Sequence, residues 1–386
     1  MSPFSSIFVP DELAAALSDE AWLVALLDAE RALVEAEAQA GLVPAATAAA
    51  VAAVLRPERY DIAELSRAGR APGNPVEPLV EAIRVETGDE LAGYVHLGAT
   101  SQDILDTAAM LVATRALRIV DESLGGAVDA CARLAEEHRN SVMAARTLLQ
   151  QAVPTTFGFK AAGWLVGLIE ARERLASVVL PAQLGGAAGT LAVLGEDGTR
   201  VLGLYAAALD LREPTVPWHT IRTPTAQLGA ALAGVAGSAA KVAGDVILLA
   251  QTEVAEVKEE AGGASSTMPH KRNPVGAVLA VANARHARAN AWILVESLES
   301  EHERAAGAWH AEWHALTSAL AAAGGAVAAL RRSLDGLEVD RERMRANVSA
   351  STLSEAERAG IAVTAPEDYL GSASAFVDRA LGLYRR

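Results

Sequence analysis

Residues 228–257 read LGAALAGVAGSAAKVAGDVILLAQTEVAEV, and this stretch decides the fold. Leu228, Leu232, Val235, Ala239, Val242, Val246 and Leu249 recur at alternating spacings of four and three. That is a heptad seam, which lies along one side of a helix. A helix over the whole stretch would be about 45 Å long at 1.5 Å per residue, and it needs neighbours along its entire side. Gly229, Gly234, Gly237 and Gly244 let other helices approach closely. Similar patterns occupy 101–139, 155–180 and 275–334. Together they predict a bundle of long helices, and the length of the seam predicts one shared between subunits.

Outward from the bundle the pattern weakens. Residues 11–40 read as one amphipathic helix stopped by Gly41, with Pro44 beyond. The stretch 69–78 carries Gly69, Pro72, Gly73, Asn74, Pro75 and Pro78 and reads as loop. Past Asp335 the chain becomes more charged. The expected organisation is all-α in three domains: an N-terminal helical domain over 1–95, a central bundle over 96–338 and a short helical C-terminal domain over 339–386.

Composition agrees. Of 386 residues, 51% are hydrophobic and only 4% aromatic, so the core is built from Ala, Leu and Val, and Ala and Leu are the strongest helix formers. A net charge of −15 argues against nucleic acid as a partner. An anionic substrate must therefore be held by local positive charge. The single cysteine, Cys131, allows no internal disulfide, and it reads as a buried structural thiol. No signal peptide is visible, and no uncharged apolar run of membrane-spanning length with the right flanks, so the expectation is a soluble cytoplasmic protein without a membrane partner.

Three segments carry chemistry. The loop Gly262-Gly263-Ala264-Ser265-Ser266-Thr267-Met268-Pro269-His270-Lys271-Arg272-Asn273-Pro274 joins a pliant backbone to hydroxyls, cations and an amide. Such a loop can close over an anionic substrate and present a Ser oxygen to it. In the segment from Tyr94 to Thr107, Thr100 or Ser101 suits the N-cap of the following helix and Asp103 its first turn. Free N–H groups and hydroxyls there make a carboxylate site, or serve capping alone. Arg146, Thr147, Gln150 and Gln151 stand in a polar turn between two long helices. His302, His310 and His314 accompany Glu301, Glu303 and Glu312, but Trp309 and Trp313 flank them, which favours a packing face over a metal site.

Taken in order, these segments resemble the fumarase/aspartase superfamily. Its members carry a Thr-Ser motif where the bundle starts, an Arg/Gly-Thr-x-x-Gln segment, and a Gly-Ser-Ser-x-Met-Pro-x-Lys-x-Asn-Pro loop. The matches are 96–107, 146–150 and 263–274, with Ala264 ahead of the Ser pair, and the likeness covers about residues 5–340. Within the superfamily, HLGATSQD (96–103), LGGAAGTL (184–191), PWHT (217–220), EHER (301–304) and WHAEW (309–313) are most similar to bacterial 3-carboxy-cis,cis-muconate cycloisomerases. The resemblance implies a homotetramer with a 20-helix core, sites where three subunits meet, and neither cofactor nor metal. It implies Ser265 as the catalytic base, with Lys271 and Asn273 as catalytic partners that stabilise the developing carboxylate charge together with Thr100 and Ser101. His96, Arg146, Thr147, Gln150, Ser266, Met268, Arg285 and Arg304 are the remaining candidates for substrate binding. His96 and His219 equally suit structural roles.

Adenylosuccinate lyases share Ser-Ser-x-Met-Pro-His-Lys and are the rival reading. They place one imidazole where this chain has Leu148 and another where it reads Gly73-Asn74-Pro75. Leucine cannot transfer a proton. A carboxylate, with a pKa of about 4, departs without one, whereas an adenylosuccinate-type nitrogen does not. The missing imidazole therefore points to lactone chemistry. Cycloisomerases usually continue PWHT with Gln-Arg-Asp-Arg, whereas this chain reads Ile221-Arg222-Thr223-Pro224. That departure, and a C-terminal domain shorter than usual, leave open a lyase acting on another succinyl adduct. A non-catalytic structural protein, as some lens crystallins are, is a third reading. Retention of Ser265, Lys271 and Asn273 speaks against it.

Overall fold

The computed structural model describes residues 4–260, 263–264, 268 and 271–386, with 263 and 264 described by backbone alone. The N-terminal part is built around α1 (Asp19–Ala40) and α2 (Val76–Thr87). The single helix expected over 11–40 is broken. Asp11–Ala16 stops short, and Ser18 starts α1 by accepting a hydrogen bond from Ala21 N at 3.2 Å. A Ser cap followed by Asp19 and Glu20 overrides apolar periodicity that runs through it. Helix α1 ends at Gly41 in the left-handed region, φ 86°. Helix α2 takes in Pro78, expected in the loop, because first-turn N–H groups have no helical partner to lose.

Among the described residues five long helices form the bundle: α3 (Ser101–Glu137), α4 (Phe157–Ala176), α5 (Thr223–Leu249), α6 (Val275–Glu296) and α7 (Ala308–Asp335). The second turns of α3 and α7 meet the residue preceding α5 through Asp106, Glu312 and Arg222, so these three helices run the same way. Helix α6 runs against them, since its start is tied through Glu259 to Ser333 at the end of α7. Every residue of the 228–249 seam is at most 4% exposed. At Gly229 the close approach is real, because a Cβ there would lie 2.9 Å from Leu294. Gly234, Gly237 and Gly244 instead face open space. Helix α5 stops at Leu249, eight residues before the apolar pattern ends, because Val257–Glu259 (β3) pairs antiparallel with a later strand, Leu337–Val339. Helices α5 and α7 are long and apolar enough to cross a membrane by length and composition. Their seams pack within the bundle, and charged side chains such as Lys241, Asp245 and Glu312 interrupt both.

The turn expected at 146–150 is the tip of a hairpin, β1 (Val142–Thr147) with β2 (Gln150–Thr156). Leu148 and Leu149 occupy its two corners at φ 50° and 63°. Two-residue hairpins with both corners left-handed favour Asn-Gly, so Leu-Leu gives no local sign of this turn. The C-terminal helix α8 (Ala373–Tyr384) docks on α4, where Phe376 stacks on Phe159 at 5.7 Å.

One of the buried groups without a hydrogen-bond partner among the described residues is a carboxylate. Both oxygens of Glu37, on the inner face of α1, are buried without a hydrogen bond among the described residues. Burial, with the nearby Glu30 charge, pushes its carboxyl from 4.5 up to about 9. The unfolded chain gives up this proton near 4.5 while the folded chain keeps it to about 9, so stability falls as pH rises through that window. Glu37→Gln is expected to flatten this slope. Urea midpoints across the window should converge at low pH and separate at high pH. Parallel curves for the two proteins would sink the assignment.

Candidate active site

The motif residues sit at the two ends of α3. At its start, Thr100 is the N-cap, and its N–H donates to Asp103 Oδ2 at 3.0 Å. Asp103 is fully buried. It also accepts from Gly185 N and Gly186 N, each at 2.9 Å, and bonds His219 Nε2 at 2.6 Å. One carboxylate thus ties the Thr-Ser motif to the Gly-rich turn at 184–191 and to His219, which is structural here. Gly186 has φ 66°, and a Cβ there would strike Gly98 O at 2.6 Å, so this turn requires glycine. Arg304, expected to bind substrate, spends its donors locally. It bonds Gly186 O at 2.6 Å, Ala187 O at 2.9 Å and Gln102 Oε1 at 3.1 Å. Its geometry is that of a clamp on the Gly-rich turn.

Beside this clamp a cavity of about 550 Å³ is lined by Pro72, Arg84, His96 and Ser101, with Glu77 and Glu81 on its wall. His96 has φ 62°, and its Nδ1 lies 2.6 Å from Oε1 of Glu30, a buried residue of α1. At the loop 69–78, a Cβ on Gly73 would lie 3.6 Å from His310 Nε2. His310 packs with Trp309 and Trp313, as expected for a packing face.

The other motif residues lie at the far end of α3. Arg146, also expected to bind substrate, instead makes a two-point ion pair with the fully buried Glu256, at 2.6 and 3.0 Å. Asn347 Nδ2 donates to the same carboxylate at 2.9 Å. The pair fixes the hairpin to the segment that leads into the loop 262–274. Thr147 and Gln150 are exposed beside the tip, with Leu148 97% exposed. Glu259 accepts from Gly276 N and Ala277 N, each at 2.9 Å, and from Ser333 Oγ at 2.6 Å. A carboxylate at a helix N-terminus is favoured by the free N–H groups and the dipole. The two-residue strands Gly263–Ala264 and Arg272–Asn273 close the stem of the loop. Lys271 and Asn273 line a cavity of about 1240 Å³ with Gln251, Lys258 and Arg341. Met268 is 40% exposed. Ser265 and Ser266 lie outside the described residues. Arg285 is exposed midway along α6, near neither group.

Helix α3 has 37 residues and spans about 55 Å. Within one chain, His96, Thr100 and Ser101 are therefore separated from the hairpin and the loop stem by the length of the bundle.

Residues 10–287 match the family described as Lyase. The chain belongs to this lyase family, within the fumarase/aspartase superfamily. It is 49% identical over 350 residues to a nitrosuccinate lyase of Streptomyces davaonensis, covering 86% of this chain and 74% of the relative. It is 45% identical over 346 residues to a 3-carboxy-cis,cis-muconate cycloisomerase of Bradyrhizobium diazoefficiens, covering 87% and 77%. The crystal structure of 3-carboxy-cis,cis-muconate lactonizing enzyme from Pseudomonas putida superposes with a TM-score of 0.91 at 35% identity, covering 100% of this chain and 99% of that one. The helical bundle expected from the seam, in the all-α superfamily fold that the resemblance implied, is thus the observed one.

Sequence reading missed Glu30, Glu256 and Glu259, which hold the motif residues in place. Glu30 had a visible signal. With Glu37 it stands in the apolar stripe of Leu23, Leu26, Leu33 and Val34, where a carboxylate needs a buried partner. Glu256 and Glu259 had none, since their partners lie 110 and 17 or more positions away.

Proposed function

We propose that this lyase-family chain is a cycloisomerase interconverting 3-carboxy-cis,cis-muconate and 4-carboxymuconolactone, on the protocatechuate branch of the β-ketoadipate pathway. The observation that carries the reading is the hairpin tip. Leu148, at one corner of the tip, stands where the resemblance to the rival lyases implies a proton-donating imidazole, and a leucine cannot protonate a leaving group. In the lactone-opening direction Ser265, ionised, removes the proton next to a carboxylate. The resulting aci-carboxylate expels the ring carboxylate from the β-carbon, and that group leaves unprotonated at neutral pH. In the reverse direction the carboxylate adds to the conjugated double bond and Ser265 returns the proton to carbon. Lys271, Asn273, Thr100 and Ser101 stabilise the dianion, while Ser266, Met268 and Gln150 complete the pocket. The steps are proton transfer and carboxylate departure, and they call on no redox group.

The working form is a homotetramer whose sites draw on several copies. Three features support this reading: the separation of the motif residues along α3, the open Gly234–Gly237–Gly244 stripe on α5, and the outward hairpin tip. Five long helices per chain supply the 20-helix core.

A second reading is favoured by the nitrosuccinate lyase relative. Nitrite also departs as the anion of an acid, so an apolar hairpin tip serves elimination from nitrosuccinate equally. The test mixes the purified protein with 3-carboxy-cis,cis-muconate and follows the diene absorbance in the ultraviolet. Rapid loss with lactone as product is the expected result. No loss, with nitrite released from nitrosuccinate, would replace the first reading by the second. Cleavage of adenylosuccinate would overturn both.

A further inference from the structure

The Thr-Ser end of the bundle holds a buried acid that the mechanism has not used. Glu30 is 3% exposed and reaches across from α1 to take the Nδ1 position of His96. The backbone at His96 is left-handed, φ 62°, a conformation a non-glycine residue keeps only when its surroundings impose it. Its side chain is 11% exposed and lines the 550 Å³ cavity beside Ser101. With Nδ1 held by Glu30, Nε2 is the nitrogen left for the cavity.

The charges around His96 come from three helices. Glu30 contacts it directly from α1, and the same Glu30 charge helps keep the neighbouring Glu37 protonated. Asp103 lies in the first turn of α3, and Arg84 on α2 opposes it from the cavity wall, where Glu77 and Glu81 also stand. Burial works against a charged imidazole, but the Glu30 carboxylate and its hydrogen bond, with help from Asp103, outweigh it and raise the His96 pKa.

We propose that Glu30 is a positioning residue: it fixes His96 and keeps it an imidazolium whose Nε2–H donates to a substrate carboxylate beside Ser101. In a chain of net charge −15 this supplies local positive charge at the end of the bundle away from Lys271. The assignment rests on the proposed reading of the site as a carboxylate pocket.

The first measurement is an NMR titration of His96 in the intact wild-type protein, which needs no variant to fold. His96 should titrate above the ordinary histidine range, and titration at or below it would overturn the proposal. The second compares wild type, Glu30→Gln and Glu30→Asp across pH on 3-carboxy-cis,cis-muconate. Glu30→Gln should raise KM about tenfold near neutral pH, the scale of one charge-assisted hydrogen bond. It should leave kcat less affected and move the alkaline rise in KM to lower pH. Glu30→Asp should recover part of the loss. Unmoved KM profiles in a folded Glu30→Gln variant would overturn the proposal, as would equal losses in Glu30→Gln and Glu30→Asp. If the wild type does not turn over the muconate, the functional reading has failed. Binding of succinate to wild type and Glu30→Gln then still decides this inference, with weaker binding in the variant supporting it and equal binding overturning it.

Discussion

Ser265→Ala is expected to lower kcat by roughly 10²–10⁴-fold, the usual worth of a group that takes and returns a proton at carbon, while leaving the folded assembly intact. The argument comes from the loop stem. Glu259 pins the start of α6 by bonds to Gly276 and Ala277, and the short strands Gly263–Ala264 and Arg272–Asn273, which flank the Ser pair in sequence, pair with each other. These contacts involve backbone and Glu259, so removing one hydroxyl from the loop leaves them in place. Steady-state rates on 3-carboxy-cis,cis-muconate, with gel filtration of the same sample, make the comparison. Full activity in Ser265→Ala would refute the assignment of the base under either elimination reading.

Arg222→Met is expected to destabilise the fold by about 3–5 kcal/mol, the cost of leaving buried carboxylates without their counter-charge. Arg222 is 2% exposed and precedes α5. It donates to Asp106 Oδ2 at 2.7 Å and Oδ1 at 3.1 Å, and to Glu312 Oε1 at 2.8 Å. Its guanidinium lies 4.6 Å above the Trp218 ring, and Trp309 Nε1 donates to Asp106 at 2.9 Å. The ion group thus joins α3, α5 and α7 at one end of the bundle. Arg222→Lys should recover little, because an ammonium cannot face two carboxylates with paired donors. Urea unfolding measures both variants, and a midpoint within error of wild type for Arg222→Met would refute the role.

The same residue shows where sequence reading stops. The departure Ile221-Arg222-Thr223-Pro224 leaves another succinyl adduct open if the segment touches substrate; Arg222 is buried structure and Thr223 and Pro224 open α5, while Ile221 is exposed. The bundle was legible because its seam is a local periodicity, with Leu228 to Leu249 each three or four residues apart. The motif residues were legible because their types and order are unusual. What holds them was not. Asp103 meets His219 across 116 positions and Arg146 meets Glu256 across 110, and no local pattern encodes such pairs. The hairpin was hidden for a different reason: Leu148 and Leu149 take corner conformations that their side chains disfavour, so tertiary context sets that turn.

The length of α3 has a genetic consequence. With Ser101 at one end and the hairpin and loop stem at the other, no chain of the proposed tetramer completes a pocket by itself. A copy damaged at one end spoils pockets that its neighbours were to finish, while its intact end still serves others. Defective alleles would then be partly dominant over a sound one, and two alleles broken at opposite ends would partly compensate for each other in the same cell.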